Sequence, residues 1–299
     1  MTERMASGVG PARLDIAYEE FGEPGDPPVL LIMGGAAQMI HWPEEFCTEL
    51  SGRGLRVIRF DSRDTGRSTW ITDAPEPDVV AAMAGDVSSA AYNLSDMAAD
   101  TVGLLDALSI GSAHLVGLSM GGMIAQTVAI EYPDRVRSLT SMSSTTGDPA
   151  VGQPKPGVLG SAGGWPRNRD DYIAWQVRNI RAVGSPGFAF DEAAVADRAG
   201  RAYDRGVDES AMMRHFLAVL ASETDRTDKL ATLRVPTLVI HGLDDPMIDL
   251  SGGRATAAAI PGARLVTYPG LGHSLPSELF SAFADEIAAL VAEAEKNRA

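Results

Sequence analysis

The stretch Ala113-His114-Leu115-Val116-Gly117-Leu118-Ser119-Met120-Gly121-Gly122 decides how this chain is interpreted. An apolar run typical of a buried strand leads into a pentapeptide in which one serine, Ser119, lies between two glycines. Glycine is favoured there because larger side chains two residues away would crowd a serine held on a sharp strand-to-helix turn. The next residues, 122–129, have the pattern of a buried helix start, whose N–H groups and dipole favour negative charge nearby. The stretch therefore predicts a nucleophilic serine at a position where an oxyanion is stabilised.

The composition is that of a globular protein with a sizeable core. The chain has 299 residues, of which 45% are hydrophobic and 22% are charged. It has neither an apolar leader nor a run of roughly 18 apolar residues, so we expect a soluble, cytoplasmic protein without membrane insertion. The net charge of −15 argues against nucleic acid or an anionic membrane surface as a partner, because both are polyanions.

Metal and disulfide chemistry are not expected from the sequence. Cys47 is the only cysteine, so an intramolecular disulfide is excluded. The spacing of the five histidines does not indicate a zinc site. We therefore expect an enzyme that uses neither a metal nor another cofactor.

Strand-like and helix-like segments alternate in the first half of the chain and again near its end. This alternation is typical of a parallel sheet covered by helices on both faces. The predicted strands are residues 13–19, 29–33, 55–60, 113–116, 136–142, 235–240 and 264–268. A helix is predicted at 96–108, with Ser95 as its N-cap, and an amphipathic helix at 277–294. The polar loop 61–68 is predicted to be a structural turn.

The alternation stops between residues 145 and 228. A Gly/Pro-rich opening is followed there by helix-like stretches at 171–177 and 211–220. We interpret residues 145–228 as a helical cap inserted into one α/β core, which comprises residues 1–144 and 229–299. His215 is interpreted as a core or pocket-lining residue. The candidates for lining an apolar substrate pocket, each with ordinary packing as its alternative, are His41, Trp42, Trp165, Trp175, Met213 and Phe216.

A serine hydroxyl needs an adjacent base, and a third group must orient that base. His273 lies in a glycine-rich loop after the last predicted strand, and Asp245 follows the preceding strand. Sheets of this type place their sites at the carboxyl ends of the strands. The chain order Ser119, Asp245, His273 is the order expected for such an enzyme. Asp244 is the alternative acid, but Pro246 favours an extended conformation at Asp245, which we prefer.

Ester hydrolysis also needs donors for the developing oxyanion. The backbone N–H of Met120, the residue after the nucleophile, is one candidate. The second is Gly35, in the turn after the predicted strand 29–33. A merely structural tight turn at Gly34-Gly35 is compatible with this role.

With these segments the chain resembles the α/β-hydrolase superfamily over nearly its whole length. The resemblance lies in five segments: Gly34-Gly35, the loop 61–68, Gly117-Leu118-Ser119-Met120-Gly121-Gly122, Leu243-Asp244-Asp245-Pro246 and Gly272-His273. It implies a mostly parallel, eight-stranded sheet flanked by helices with a helical cap, and it supports the same triad and oxyanion donors.

More narrowly, the chain is similar to the aclacinomycin methylesterase group, which demethylates an anthracycline methyl ester. The matching segments are Leu31-Ile32-Met33-Gly34-Gly35, Arg63-Asp64-Thr65-Gly66-Arg67-Ser68, Val116-Gly117-Leu118-Ser119-Met120-Gly121 and Gly270-Leu271-Gly272-His273-Ser274-Leu275-Pro276. Met33 stands where many superfamily members carry histidine. The cap shows no motif of this group, so the resemblance does not carry the substrate over.

We expect a serine carboxylesterase that acts on a small-molecule ester, methyl esters included, through an acyl-enzyme. A cofactor-free perhydrolase of the haloperoxidase type, a thioesterase, a lactonase and a C–C hydrolase are alternatives on the same triad. Epoxide hydrolases and haloalkane dehalogenases are disfavoured because they need aspartate in place of Ser119. A catalytically silent ligand-binding protein is a further alternative, and a homodimer is left open.

Overall fold

Eight strands form one mostly parallel sheet within residues 2–160, 163–222 and 225–298, which the computed structural model describes. The strands are β1 (Arg4–Val9), β2 (Leu14–Phe21), β3 (Pro28–Ile32), β4 (Arg56–Phe60), β5 (Ala113–Leu118), β6 (Val136–Met142), β7 (Thr237–Gly242) and β8 (Arg264–Tyr268). Their order is β1-β2-β4-β3-β5-β6-β7-β8. β2 is antiparallel to β1 and β4, and the pairs from β4 to β8 are parallel. The predicted fold class is confirmed.

Helices cover both faces of this sheet. The described α-helices, those outside the faces of the sheet included, are α1 (Glu44–Ser51), α2 (Val79–Met83), α3 (Leu94–Ala107), α4 (Met120–Glu131), α5 (Arg169–Val183), α6 (Glu192–Arg205), α7 (Glu209–Leu220), α8 (Thr227–Leu230), α9 (Leu250–Ala259) and α10 (Phe280–Lys296). One hydrophobic cluster joins the sheet to α3 and α4, and a second joins it to α1 and α10. β3 serves both clusters, with Leu30 and Ile32 in the first and Val29 and Leu31 in the second, because successive side chains of a strand point to opposite faces.

The segment between β6 and β7 contains the cap helices α5, α6 and α7. These three helices lie inside the predicted cap, residues 145–228. The short helix α8 crosses the predicted boundary and packs against α4 and α9 of the core. A small cluster that includes Tyr172, Trp175 and Ala202 fills the space between the cap and the 3-10 turn Met39–His41. The described helices include none that is long and apolar enough to cross a bilayer.

Several local features differ from the sequence expectations or were missed by them, among them the helices α1, α2 and α9. β1 was not predicted, because only two of its six residues are buried and they are not in alternation. α6 was not predicted, because it is built mainly from alanine and charged residues. The N-cap of the α3 helix is Asn93, so the prediction of Ser95 was wrong: the Asn93 side chain accepts from the Asp96 N–H, and the Asp96 carboxylate accepts from the Asn93 N–H. Ser95 Oγ instead donates to Glu131 on the surface.

The reciprocal cap at Asn93 can be tested by substitution. Asn93→Ala removes the acceptor for one orphan N–H of α3, so we expect a loss of about 1 kcal/mol in the free energy of unfolding. Ser95→Ala removes only an exposed contact, and we expect it to stay within about 0.5 kcal/mol of the wild type. Urea denaturation followed by circular dichroism measures both. A larger loss in Ser95→Ala than in Asn93→Ala would contradict the assignment.

Candidate active site

Ser119 lies on the sharp turn between β5 and α4. Its backbone has φ 57° and ψ −123°, a conformation that is rare for any residue except glycine. The turn is held from the sheet side, because the Ser119 N–H donates to the Met142 carbonyl at 2.9 Å. A Cβ on Gly121 would overlap the Ile32 carbonyl oxygen of β3, so this position requires glycine. The neighbouring strands thus maintain a strained conformation that presents Ser119 at the carboxyl edge of the sheet.

His273 and Asp245 are hydrogen-bonded to each other at the same edge. Asp245 follows β7 and His273 follows the adjacent β8. Nδ1 of His273 lies 2.8 Å from Oδ2 of Asp245. The other oxygen, Oδ1, accepts the N–H groups of Met247 at 2.9 Å and Ile248 at 3.0 Å. Both carboxylate oxygens are therefore bound, and the orientation of this buried group is fixed.

The surroundings of Asp245 favour its ionised form. Burial opposes ionisation, but the hydrogen bond and charge of His273, together with the Ile248 N–H and His241, outweigh it and lower the pKa of Asp245. Asp244 is exposed, and its Oδ2 accepts the N–H of Gly270 at 2.8 Å. The structure therefore places the Asp245 carboxylate against the His273 ring. Asp244 instead binds the backbone of the loop after β8 that contains His273.

Ser119 is brought to the edge that holds His273 but is not bonded to it. In the part of the chain that the structure describes, no hydrogen bond joins Ser119 Oγ to His273. Bonds between a nucleophile and its base often tighten only when substrate is present. The side chain of His273 is 11% exposed, so its ring remains accessible from the site.

The turn that contains Gly35 packs against the residues of the serine turn. A Cβ on Gly35 would lie 3.4 Å from Met120 Sδ, and one on Gly34 would lie 3.2 Å from Ser119 Cβ. Gly35 is exposed, and the Met120 N–H, as the first of α4, has no acceptor within its own helix. The two candidate oxyanion donors therefore lie on adjoining turns at the serine.

The loop 61–68 joins the core to the cap. Its turn is closed locally, since Ser68 Oγ donates to the Asp61 carbonyl at 2.6 Å, in line with the predicted structural role. In addition, Asp61 is paired with Arg205 of α6, and Asp64 is paired with Arg214 of α7 at 2.8 Å. Both carboxylates are fully buried, so α6 and α7 are each fixed to the core by a buried ion pair.

The candidate pocket residues occupy different environments. The prediction for Trp42 was wrong: this side chain is fully buried and stacks on Phe46 beneath α1, with ring centroids 5.6 Å apart, so it cannot line a pocket. Trp165 and Trp175 pack on each other in the cap cluster, where Trp175 is 8% exposed. The sequence did not distinguish this packing from a pocket.

The remaining three candidates lie on accessible surface. Phe216 is 49% exposed and Met213 is half-buried, both on α7. His41 is half-buried, and its Nδ1 lies 3.1 Å from the Gln38 carbonyl. Burial and the positive charge of Arg198 lower the pKa of His41 to about 4, so it is neutral at pH 7. Substrate contact by these residues stays a prediction.

Comparison with known proteins defines the class. The α/β hydrolase fold family matches residues 27–278, and the chain therefore belongs to this family. A curated relative, rhodomycin D methylesterase DauP of Streptomyces sp. (strain C5), is 30% identical, over 91% of this chain and 93% of its own. The bifunctional esterase/perhydrolase DCH of Acinetobacter calcoaceticus is 25% identical, over 88% and 91%.

A solved structure supports the same fold. The meta-cleavage product hydrolase CumD of Pseudomonas fluorescens IP01 has a TM-score of 0.72 and 23% identity, covering 97% of this chain and 98% of that one. At this identity the likeness concerns the fold alone. The family and the named esterases confirm the expected class of enzyme, a hydrolase of carboxylic esters.

The buried ion pair between α7 and the loop can be tested with a matched surface pair. Arg214→Met leaves the buried Asp64 carboxylate without its cation, so we expect a loss of about 3–5 kcal/mol in the free energy of unfolding. Arg169→Met removes an exposed pair with Asp204 and should barely move the unfolding midpoint. Thermal and urea denaturation measure both variants. Equal, small effects would show that the Arg214 pair does not fix the cap.

Proposed function

We propose that this protein is a serine hydrolase of carboxylic esters in which Ser119 is the nucleophile, His273 the general base and Asp245 the orienting acid. The observation that carries the proposal is the 2.8 Å bond between His273 Nδ1 and Asp245 Oδ2 at the edge that presents Ser119. Because the carboxylate accepts from Nδ1–H, the lone pair of the imidazole is left on Nε2, where it can take a proton.

The reaction follows from these roles. Ser119 Oγ attacks the ester carbonyl carbon while its proton passes to Nε2 of His273. The negative charge that develops on the carbonyl oxygen is stabilised by the N–H groups of Gly35 and Met120. The tetrahedral intermediate expels the alcohol, which takes the proton from His273, and leaves the acyl group on Ser119. His273 then removes a proton from water, which attacks the acyl-enzyme. The second tetrahedral intermediate expels Ser119 Oγ, which takes the proton back from His273, and the carboxylic acid is released.

For the substrate we propose a methyl ester of a small to medium apolar acid. The support is the similarity to rhodomycin D methylesterase and the accessible apolar side chains of Met213 and Phe216 on α7. Perhydrolysis is the second candidate, favoured by the similarity to an esterase/perhydrolase. It would use the same acyl-enzyme, with hydrogen peroxide attacking in place of water. The cytoplasmic location stays a prediction, and the oligomeric state stays open.

Removal of the Ser119 hydroxyl tests the proposal directly. Ser119→Ala should lower kcat for p-nitrophenyl butyrate by at least ~10³-fold, because the acyl group then has no acceptor. Ser95→Ala, a surface change of the same kind, should retain wild-type kinetics. Initial rates of purified proteins with matched circular dichroism spectra give the comparison. Comparable rates in wild type and Ser119→Ala would refute the proposed nucleophile.

The choice of acid is tested by paired amide substitutions. Asp245→Asn removes the negative acceptor at His273 Nδ1 and should lower kcat by ~10³ to 10⁴-fold, since the imidazole loses its tautomer and its counter-charge. Asp244→Asn keeps an oxygen that can accept the Gly270 N–H, and little change in kcat is expected. Steady-state kinetics on a panel of methyl esters measures both. The reverse order of effects would assign the acid to Asp244.

A further inference from the structure

His215 of the cap helix α7 contacts the turn that holds Gly35. Nδ1 of His215 accepts the N–H of Ala36 at 2.9 Å, and Nε2 lies 2.8 Å from the carbonyl oxygen of Arg63. The ring is 1% exposed. Through this one side chain, a helix of the inserted cap is bonded to the residue next to the proposed oxyanion donor.

The two contacts select one form of the imidazole. The Arg63 carbonyl can only accept, so Nε2 must carry a proton. The Ala36 N–H can only donate, so Nδ1 must have a free lone pair. Only the neutral tautomer protonated at Nε2 satisfies both partners. Burial lowers the pKa of His215, in agreement with a neutral ring at pH 7.

Charged and aromatic neighbours fix the ring. Tyr92 packs edge-on against it, with ring centroids 6.2 Å apart, and donates from its hydroxyl to Asp64 at 2.7 Å. Arg63 is held by two bonds to the Asp100 carboxylate, at 2.6 and 2.7 Å. Arg63 is therefore held in place by the core. The His215 ring bridges the Arg63 carbonyl oxygen and the Ala36 N–H.

The turn itself needs such support. It runs from Gly34 to Ala37 and is closed by the Ala37 N–H on the Gly34 carbonyl at 3.3 Å. Ala36, its third residue, has φ +58°, which a turn of type II requires and which glycine adopts more easily than alanine. Flipping the Gly35–Ala36 peptide would relieve this strain, but it would break the bond from Ala36 to His215. The histidine thus opposes the movement that would disturb the Gly35 backbone.

We propose that His215 is a positioning residue that holds the oxyanion turn in its competent form by accepting the Ala36 N–H. The proposal rests on the proposed function, because it assumes that Gly35 is an oxyanion donor. It makes the cap helix α7 part of the catalytic geometry. Docking of α7 would then be needed for the chemical step, in addition to any contact with substrate.

Three substitutions separate the two hydrogen bonds of the ring. His215→Asn places an amide oxygen close to the position of Nδ1 and can keep the Ala36 bond. His215→Gln places its amide near Nε2 and can keep the Arg63 bond alone. His215→Phe removes both. Each variant is assayed for kcat and KM with p-nitrophenyl butyrate, and for inhibition by an alkyl trifluoromethyl ketone, which adds to a serine as a tetrahedral oxyanion.

We expect His215→Gln and His215→Phe to lower kcat by about 10 to 100-fold with little change in KM, because a displaced donor costs less than a deleted one. Affinity for the trifluoromethyl ketone should fall by the same factor as kcat/KM. His215→Asn should retain most of both. The agreement between kcat/KM and inhibitor affinity is a readout that simple loss of stability would not produce.

Leu105→Ala, in the first hydrophobic cluster, is the control for destabilisation. It should lower the thermal midpoint and leave kcat and inhibitor affinity unchanged in the folded protein. If His215→Phe does not fold, the comparison of His215→Asn with His215→Gln carries the test.

Two results would overturn the proposal. In one, His215→Gln retains wild-type kcat and inhibitor affinity; in the other, His215→Asn loses as much of both as His215→Gln does. The proposed function is judged separately, since Ser119→Ala would abolish activity in either case. If Ser119→Ala were active, the proposed function and the proposed role of His215 would both be refuted.

Discussion

The backbone strain at Ser119 is the constraint on which the rest of the structure depends. A serine with φ 57° persists because the neighbouring chain segments leave it no alternative. β6 accepts its N–H, and β3 passes so close to Gly121 that a Cβ has no room. The same contacts fix α4, whose first N–H is a candidate oxyanion donor. The parallel sheet then brings Asp245 and His273 to this edge from the ends of adjacent strands.

Bonds between the cap and the core lie beside both the Gly35 turn and His273. His215 contacts the Gly35 turn, as described above. The end of α5 and the residues after it contact the loop that contains His273. The His273 N–H donates to the Val183 carbonyl at 2.8 Å, and the Gly187 N–H donates to the Gly270 carbonyl at 2.9 Å. From the sequence, the cap was expected only to supply candidate pocket-lining residues. These bonds support a second role in our proposal, because the positions of both the proposed base and the proposed oxyanion donor would depend on how the cap is docked.

The sequence predicted features that local chemistry determines. The serine turn, the strand ends that hold Asp245 and His273, and the parallel sheet follow from short motifs and from the spacing of apolar runs. Features that depend on contacts distant in sequence were missed. Trp42 looked like a pocket residue but is buried under α1, and His215 gave no signal beyond a histidine in an apolar helix. Its role depends on Ala36 and Arg63, which only the tertiary fold brings to its ring.

The central claim is that Ser119 carries the acyl group during turnover. The most direct measurement is to treat the protein with an aryl phosphonate that traps active serines and to locate the adduct by peptide mass spectrometry. The account predicts one phosphonyl group per chain, on Ser119, and none on the Ser119→Ala variant. An adduct on another residue, or an equal yield in that variant, would contradict it.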